Sequence, residues 1–207
     1  MDFRVARFVS GLFHPLLLPL ATLMLMFFTD PLLRAMPGAF GYLATVLAVN
    51  TVAPALSLVM LHRRKRISDL DVSRREERAG PFGVVLLYYL LTFGVVYDAS
   101  GGRMPAVYLA FLLGLVAVLG VAWLITFRFK ISMHATAASG VAGTLYAVQF
   151  VHQEPRPLLV CAALLCAGLV GWSRVRLGRH RPEEVYAGGI LGFVGMAAAV
   201  VVGTGWL

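Results

Sequence analysis

The chain has 207 residues, of which 59% are hydrophobic and 14% are charged, and its mean hydropathy is +0.82. These values exclude an ordinary soluble globular domain, in which about half of the residues are apolar and about a quarter are charged. The formal net charge of +8 does not indicate a nucleic-acid partner, because the basic residues lie in short loops beside apolar segments. There they contact anionic lipid headgroups and fix orientation, so we expect membrane lipids as partners and no nucleic acid.

Seven apolar segments are candidates for membrane-spanning helices. A helix of about 20 residues, rising 1.5 Å per residue, crosses the ~30 Å hydrocarbon core of a bilayer. The segments cover residues 8–28, 38–61, 82–97, 104–127, 131–151, 157–177 and 183–204. The third is the shortest, so the expected count is six to seven. The sequence therefore predicts an all-α polytopic membrane helix bundle, a single domain over residues 1–207, which could also assemble as a homo-oligomer.

Prolines and polar residues interrupt the first two segments. Pro15 and Pro19 lie in the first, and neighbouring helices can satisfy the carbonyl groups that a proline leaves free in a membrane helix. We therefore expect one first span, which is not cleaved as a signal peptide. Asn50 and Thr51 lie near the middle of the second segment, where we expect them to hydrogen bond to other helices.

The basic residues are distributed unequally between the two sides of the predicted bundle. With seven alternating spans, the N-terminus and the loops 62–80, 128–130 and 178–182 share one side. Of the 18 Lys and Arg residues, only Arg34, Arg103 and Arg156 lie on the other side. The positive-inside rule places the basic side in the cytoplasm. We expect a multi-pass protein of the inner (cytoplasmic) membrane with its active face cytoplasmic.

Three polar clusters share this basic side although they are far apart in the sequence. They are residues 63–81 (RRKRISDLDVSRREERAGP), 128–140 (RFKISMHATAASG) and 173–189 (SRVRLGRHRPEEVYAGG). A phosphoryl group in transfer needs fixed cations or backbone donors, a nucleophile and a proton donor for the leaving oxygen. The clusters contain all three, so we expect a site for a lipid phosphate. The alternative is a set of basic loops that only fixes topology.

Two residues of the third cluster have the spacing of a histidine nucleophile and its orienting acid. His180 precedes Glu184 by four residues. If Pro182 opens the last helix, the carboxylate reaches back about one turn to the imidazole. A carboxylate there fixes the tautomer of the ring and raises its nucleophilicity.

His134 lies in the first turn of the fifth predicted span, two residues after Ser132 and four after Lys130. The free backbone N–H groups at a helix N-terminus attract an anion. The imidazole of a histidine placed there can protonate a leaving alkoxide.

The third cluster resembles the third signature of the type 2 phosphatidic acid phosphatase superfamily. That signature reads Ser, Arg, five residues, His, three residues, Asp, and the chain matches it with Ser173, Arg174, His180 and, in place of the aspartate, Glu184. The second cluster is similar to the Pro-Ser-Gly-His signature of the same family. The corresponding residues are Ile131, Ser132, Met133 and His134.

The resemblance implies a role for each matched residue. In the family the histidine of the third signature attacks phosphorus and forms a phosphohistidine, which makes His180 the nucleophile, Glu184 its orienting acid and His134 the general acid. It also implies that no metal and no other cofactor takes part. The expected phosphate ligands, from the resemblance and from their position beside the two histidines, are Arg174, Ser132, Ser173, Lys130, Arg78 and Arg74.

The first family signature, Lys, six residues, Arg-Pro, is not present as written. Asp71 stands seven residues before Arg78, and the proline follows at position 81. We assign Arg78 to the arginine of the signature. The candidates for the second cation are Arg74, Arg75 and Lys65. The resemblance covers a phosphatase-like core over about residues 63–195.

The sequence thus predicts metal-independent hydrolysis of a lipid phosphate, such as phosphatidate, a phosphatidylglycerophosphate-type lipid, or a polyprenyl phosphate or diphosphate. Two alternatives belong to the same family: a lipid headgroup phosphotransferase that uses the same histidines, and a non-catalytic member that binds or transports lipid. A third is a magnesium-dependent prenyltransferase that would use Asp69 and Asp71, although the sequence lacks the second aspartate-rich loop of such enzymes.

Overall fold

The computed structural model describes residues 2–101 and 103–206, and all regular secondary structure within these ranges is helical. The helices are α1 (Phe3–Leu12), α2 (Leu18–Thr29), α3 (Pro31–Ala35), α4 (Ala39–Val46), α5 (Ala53–Arg63), α6 (Ala79–Ser100), α7 (Ala106–Thr126), α8 (Met133–His152), α9 (Pro157–Arg176) and α10 (Pro182–Thr204). A π-helical segment, Leu47–Val52, joins α4 to α5, and a 3₁₀ turn covers Arg75–Glu77. The predicted all-α polytopic membrane bundle is confirmed.

Five helices of the described chain are long and apolar enough to cross a membrane: Ala39–Arg63, α6, α7, α9 and α10. The fifth predicted span forms α8, which has 20 residues but is more polar than these five. One side of α8 packs against α10 and another against α9. This position in the interior explains how a membrane helix can carry buried His134 and Thr144.

The prediction of one continuous first span is wrong. Residues 8–28 are divided between α1 and α2, and the chain turns between Phe13 and Leu17. Pro15 has no backbone N–H to donate and disfavours helical geometry at His14, the residue before it. Pro19 does not break the chain, because it lies in the first turn of α2, where the missing N–H has no intrahelical partner to lose.

The second predicted span is a helix with a local change of winding. Its π-helical segment lies just before Pro54, which has no N–H for a hydrogen bond to the preceding turn. Asn50 accepts a 2.5 Å hydrogen bond from Thr92 of α6, and the Thr51 hydroxyl donates a 3.0 Å bond to the carbonyl of Leu16. The predicted bond to another helix is confirmed for Asn50, whereas Thr51 bonds to the turn between α1 and α2.

Helices α8 and α10 approach each other closely because glycines face the partner backbone. A Cβ at Gly192 would lie 2.0 Å from the Thr136 carbonyl oxygen, and one at Gly143 would lie 2.2 Å from the Phe193 carbonyl oxygen. Small residues permit such contact between membrane helices. This crossing fixes the N-terminal end of α8, which carries His134, beside the N-terminal end of α10, which follows His180.

Candidate functional site

The three polar clusters meet at one end of the bundle. Arg75 donates a 2.8 Å hydrogen bond to the carbonyl of Arg128, and Lys130 donates one of 2.8 Å to the carbonyl of Arg179. Arg179 in turn donates a 2.8 Å bond to the Ser73 hydroxyl. Each bond connects two clusters that lie far apart in the sequence, so the shared face that the topology predicts is present in the fold.

A cavity of about 120 Å³ begins at this polar end and extends into the bundle. It is much larger than the ~10–15 Å³ that one water molecule needs on this measure. Its ionisable lining residues are His14, Asp71, Arg78, His134, Arg174 and His180. Four of the residues predicted for the site, His180, His134, Arg174 and Arg78, therefore reach one cavity.

His180 is held between the end of α9 and the start of α10. Its Nδ1 lies 2.7 Å from Oε2 of Glu184, and the same oxygen accepts a 3.3 Å hydrogen bond from the backbone N–H of Arg181. Because a carboxylate can only accept, Nδ1 carries the ring proton and Nε2 keeps its lone pair. Glu184 thus fixes the tautomer with Nε2 available as a nucleophile.

Electrostatics keep this imidazole neutral. The side chain of His180 is 2% exposed, and burial, together with the positive charges of Arg78, Arg174 and Lys130, lowers its pKa to about 3. A neutral ring near physiological pH is the nucleophilic form.

Arg78 directs one side of its guanidinium toward His180 and uses the other to anchor itself. Its Nε donates a 2.9 Å hydrogen bond to the carbonyl of Val72, and one terminal nitrogen donates a 2.7 Å bond to the carbonyl of Ile131. The other terminal nitrogen lies 3.5 Å from Nε2 of His180. Burial lowers the Arg78 pKa to about 10, so the guanidinium stays charged and can bind an anion beside His180.

Arg174 is the second buried guanidinium, with 2% of its surface exposed. One terminal nitrogen donates hydrogen bonds of 2.6 Å to the Ser10 hydroxyl and 3.1 Å to Oδ2 of Asp71. Its Nε is buried and has no hydrogen-bond partner among the described residues. A donor that is desolvated without a partner is costly, and an anion in the cavity would supply the acceptor.

His134 lies at the start of α8 and is 4% exposed. Its Nε2 is buried and has no hydrogen-bond partner in the described part of the chain. The ring of His14 packs edge-on against it, with the ring centroids 5.4 Å apart. His134 is thus a buried imidazole in the cavity that can exchange a proton with a bound group.

Four other predicted phosphate ligands do not line the cavity. The hydroxyl of Ser132 caps α8 by accepting a 3.4 Å bond from the Ala135 N–H. The hydroxyl of Ser173 donates a 2.7 Å bond to the carbonyl of Val170. Lys130 is bound to the Arg179 carbonyl, and the Arg74 side chain is 72% exposed beside Glu77. Of these four, Ser132 thus caps a helix and Lys130 connects two of the clusters.

The other two candidates for the second cation also lie elsewhere. Lys65 is exposed and has a positive φ of 56° in the turn after α5. The side chain of Arg75 is 42% exposed and bonds to the carbonyl of Arg128.

The sequence did not single out His14, and it suggested Asp71 only as a ligand of magnesium. His14 was hidden inside a span predicted to be continuous, and the one signal for it was the His14-Pro15 pair. One ligand atom each from His14, Asp71 and His134 lies within 4.8 Å of the others, so these side chains could hold a cation. Asp71, which stands where the family signature has lysine, neutralises part of the charge of Arg174.

The aspartates of the magnesium alternative are both engaged with other side chains. Oδ1 of Asp69 accepts hydrogen bonds of 3.2 and 3.1 Å from the backbone N–H and hydroxyl of Ser73. Its Oδ2 lies 3.8 Å from Arg179. Asp71 pairs with Arg174, so each carboxylate stabilises the loop over the cavity.

Comparison with known proteins gives one match. A family model described as the PAP2 superfamily matches residues 48–205, which is most of the chain. A search of curated proteins and a search of solved structures gave no match. The matched region contains all three polar clusters and every ionisable lining residue of the cavity except His14.

Proposed function

The chain belongs to the PAP2 superfamily, and we propose that it hydrolyses a membrane lipid phosphate through a phosphohistidine on His180. Membership supports phosphatase chemistry on a lipid phosphate in general. The observation that carries the specific proposal is the 2.7 Å contact between Nδ1 of His180 and Oε2 of Glu184. It directs the unprotonated Nε2 of a buried, neutral imidazole to the cations of the cavity.

In the first displacement, Nε2 of His180 attacks phosphorus while the bond from phosphorus to the lipid oxygen breaks in line. The imidazole becomes positively charged as the N–P bond forms, and Glu184 stabilises that charge through Nδ1–H. His134, in its protonated form, gives its proton to the departing oxygen, so the lipid leaves as an alcohol.

The phosphate oxygens lie against Arg78 and Arg174 during this step. Both guanidinium groups are buried, where interactions with developing negative charge are stronger than in water. Arg78 offers the terminal nitrogen nearest to His180, and Arg174 offers its unpartnered Nε. Their placement supports an anion site without a metal.

In the second displacement, water attacks the phosphohistidine. His134, now neutral, accepts a proton from that water, and the N–P bond breaks to release inorganic phosphate and restore neutral His180. Each proton that His134 gives in the first step thus returns in the second. A phosphotransferase would use an alcohol in place of the water, and a non-catalytic member would stop at binding.

The orientation of the site is part of the proposal. The basic residues of the three clusters lie at the end of the bundle that holds the cavity, and the positive-inside rule places such an end in the cytoplasm. We therefore assign the active face to the cytoplasmic side of the inner membrane. Labelling of Cys substitutions at exposed Arg64 and Phe127 in intact cells, in a background without the free cysteines Cys161 and Cys166, tests this. Impermeant reagents should not reach the two positions, and their labelling would contradict the assignment.

Trapping the covalent intermediate tests the mechanism. Wild-type protein is mixed with a lipid phosphate labelled on phosphorus and quenched in base, which preserves phosphohistidine. We expect label on the peptide that contains His180, and none in His180→Ala. Label on a different residue, or phosphate release with no labelled protein in rapid-quench samples, would contradict His180 as nucleophile.

A further inference from the structure

The cavity that holds His180 continues beyond its polar end between α2, α6, α7 and α8. Its lining residues repeat with helical spacing on each wall. On α8 they run from Met133 through Ala137 and Gly140 to Thr144, and on α6 they run from Pro81 to Tyr89. Residues three, four and seven apart share one face of a helix, so each helix turns one continuous face toward the cavity.

The lengths of these lining faces give the depth of the cavity. Lining residues on α6 (Pro81 to Tyr89) and on α7 (Leu119 to Phe111) are eight residue steps apart, and those on α8 (Met133 to Thr144) are eleven steps apart. At 1.5 Å per residue these faces are about 12 Å and about 16 Å long. The faces on α6 and α8 start at the polar end, and the face on α7 starts at Leu119, seven residues before the end of that helix at Thr126, so the cavity reaches at least the middle of a ~30 Å hydrocarbon core.

The width follows from the volume. Divided by a depth of about 12–16 Å, the volume of about 120 Å³ gives a cross-section of roughly 8–10 Å² for the centres of water-sized groups, which fits one row of such groups. The space is therefore wide enough for one hydrocarbon chain and not for two side by side.

Met196 of α10 and Phe111 of α7 line the inner part of the cavity. Both side chains are buried, with 2% and 1% of their surface exposed. Met196 fits between two helices that have no side chain at the contact: a Cβ at Gly140 would lie 3.2 Å from its Cγ, and one at Gly114 would lie 3.1 Å from its Cε. The Met196 side chain thus fills space between α7 and α8 in the inner part of the cavity, so its removal would enlarge the cavity there.

We propose that the cavity binds one hydrocarbon chain of the lipid phosphate, with the phosphate at His180 and the chain end against Met196, and thereby selects the chain length. This inference rests on the proposed function for the identity of the headgroup. The substrate class is a phosphate with one chain enclosed by the protein, such as a prenyl or alkyl monophosphate. A second chain, where the lipid has one, stays in the bilayer.

Photolabelling tests the binding site without any turnover. The probe is a tetradecyl phosphonate with a diazirine at the chain end, which His180 cannot hydrolyse, bound to wild-type protein in mixed micelles. We expect mass spectrometry to find the label on Phe111, Thr144 or Met196. Label confined to membrane-facing residues such as Leu165, which is 71% exposed, would overturn the proposal.

The chain-length profile tests selection. The kcat/KM of wild type, Met196→Ala and Val194→Ala is measured with decyl, tetradecyl, octadecyl and geranylgeranyl phosphates at equal mole fraction. Val194 is the matched control because it lies two residues from Met196 on α10 and is 57% exposed.

We expect wild-type kcat/KM to be about tenfold lower for a chain longer than the cavity than for a chain that fits it. One extra methylene in a closed pocket costs at least this factor. Met196→Ala should move the fall to longer chains, and Val194→Ala should not. The same profile in all three proteins would overturn selection by the cavity. If no protein releases phosphate, hydrolysis fails while the photolabel still decides whether the chain binds.

Discussion

His180 is a residue whose function depends on its surroundings more than on its identity. Water would leave its pKa near 6.5, but burial and three neighbouring cations keep the ring neutral and Glu184 fixes its tautomer. The same cations are available to a phosphate. In the proposed mechanism, one set of charges therefore both keeps His180 neutral and binds the phosphate that it attacks.

Replacing Glu184 by Gln tests the orienting role. The amide nitrogen can donate to Nδ1 and stabilise the wrong tautomer, with the proton on Nε2, so we expect kcat to fall by a few orders of magnitude, as in triad enzymes. Glu184→Asp should retain more activity than Glu184→Gln, because it keeps the charge. A Gln variant with wild-type kcat would contradict the assignment, and thermal unfolding of each variant checks the fold.

The buried imidazole also makes stability depend on pH. The folded-state pKa of His180 is about 3, below its ordinary 6.5, so between these values the unfolded chain binds a proton that the folded protein does not. The free energy of unfolding should therefore decrease as the pH falls from 6.5 toward 3. Thermal unfolding across this range should show a smaller decrease for His180→Gln. Equal decreases in both proteins would contradict a buried neutral His180.

A contact of the site could be predicted from the sequence only where its two residues lie close together along the chain. His180 and Glu184 lie one helical turn apart, so their spacing alone predicts the contact. The contacts of Arg174 with Ser10 and Asp71 join residues 164 and 103 positions apart, and no local pattern specifies them. Ser132 and Ser173 matched the family signatures, yet their hydroxyls bond to nearby backbone groups.

At the scale of helices, the break between α1 and α2 shapes the site most. It brings His14 into the cavity and lets Ser10 reach Arg174. A hydropathy profile shows how long an apolar stretch is but not whether it forms one helix or two. Such a break is therefore not visible in a continuous apolar stretch. The other predicted spans agree with the observed helices within four residues, since their ends coincide with charges, glycines or prolines that mark helix boundaries.

The crossing of α8 and α10 holds the two histidines in register. The Ser132 N–H donates a 3.1 Å hydrogen bond to the Glu184 carbonyl. Further from the polar end, Gly140, Gly143 and Gly192 let the two helices approach closely. Glycines recur in both of these segments of the sequence, a pattern that is typical of close packing between membrane helices. It did not identify the partner helix, because the pattern is the same for any neighbour.

Gly192→Ala tests this crossing. Its Cβ would lie 2.0 Å from the Thr136 carbonyl oxygen, which forces the helix backbones apart, so we expect loss of at least about 1–3 kcal/mol of stability and of most activity. Gly94→Ala is the matched control, since nothing lies within 4 Å of the position that its Cβ would take. Equal thermal stability of the two variants would contradict tight packing at Gly192.

At the scale of the whole molecule, the polar site and the apolar part of the cavity lie at different depths in the bundle. One end carries the basic loops, the histidines and the mouth of the cavity, and the middle holds an apolar space lined by Met196 and Phe111. A lipid phosphate has the same division between a charged head and a hydrocarbon chain. The fold class and the polar face follow from hydropathy and charge, whereas the shape of the cavity arises from side chains that meet only in the folded bundle.

Phosphate release in excess EDTA is the measurement that tests the central claim most directly. Detergent-purified wild type and His180→Ala are incubated with a panel of one-chain and two-chain lipid phosphates, and inorganic phosphate is measured. We predict release by wild type in EDTA and none by His180→Ala, with both proteins unfolding at similar temperatures. Equal release by the two proteins, or release that requires added magnesium, would contradict metal-independent hydrolysis at His180.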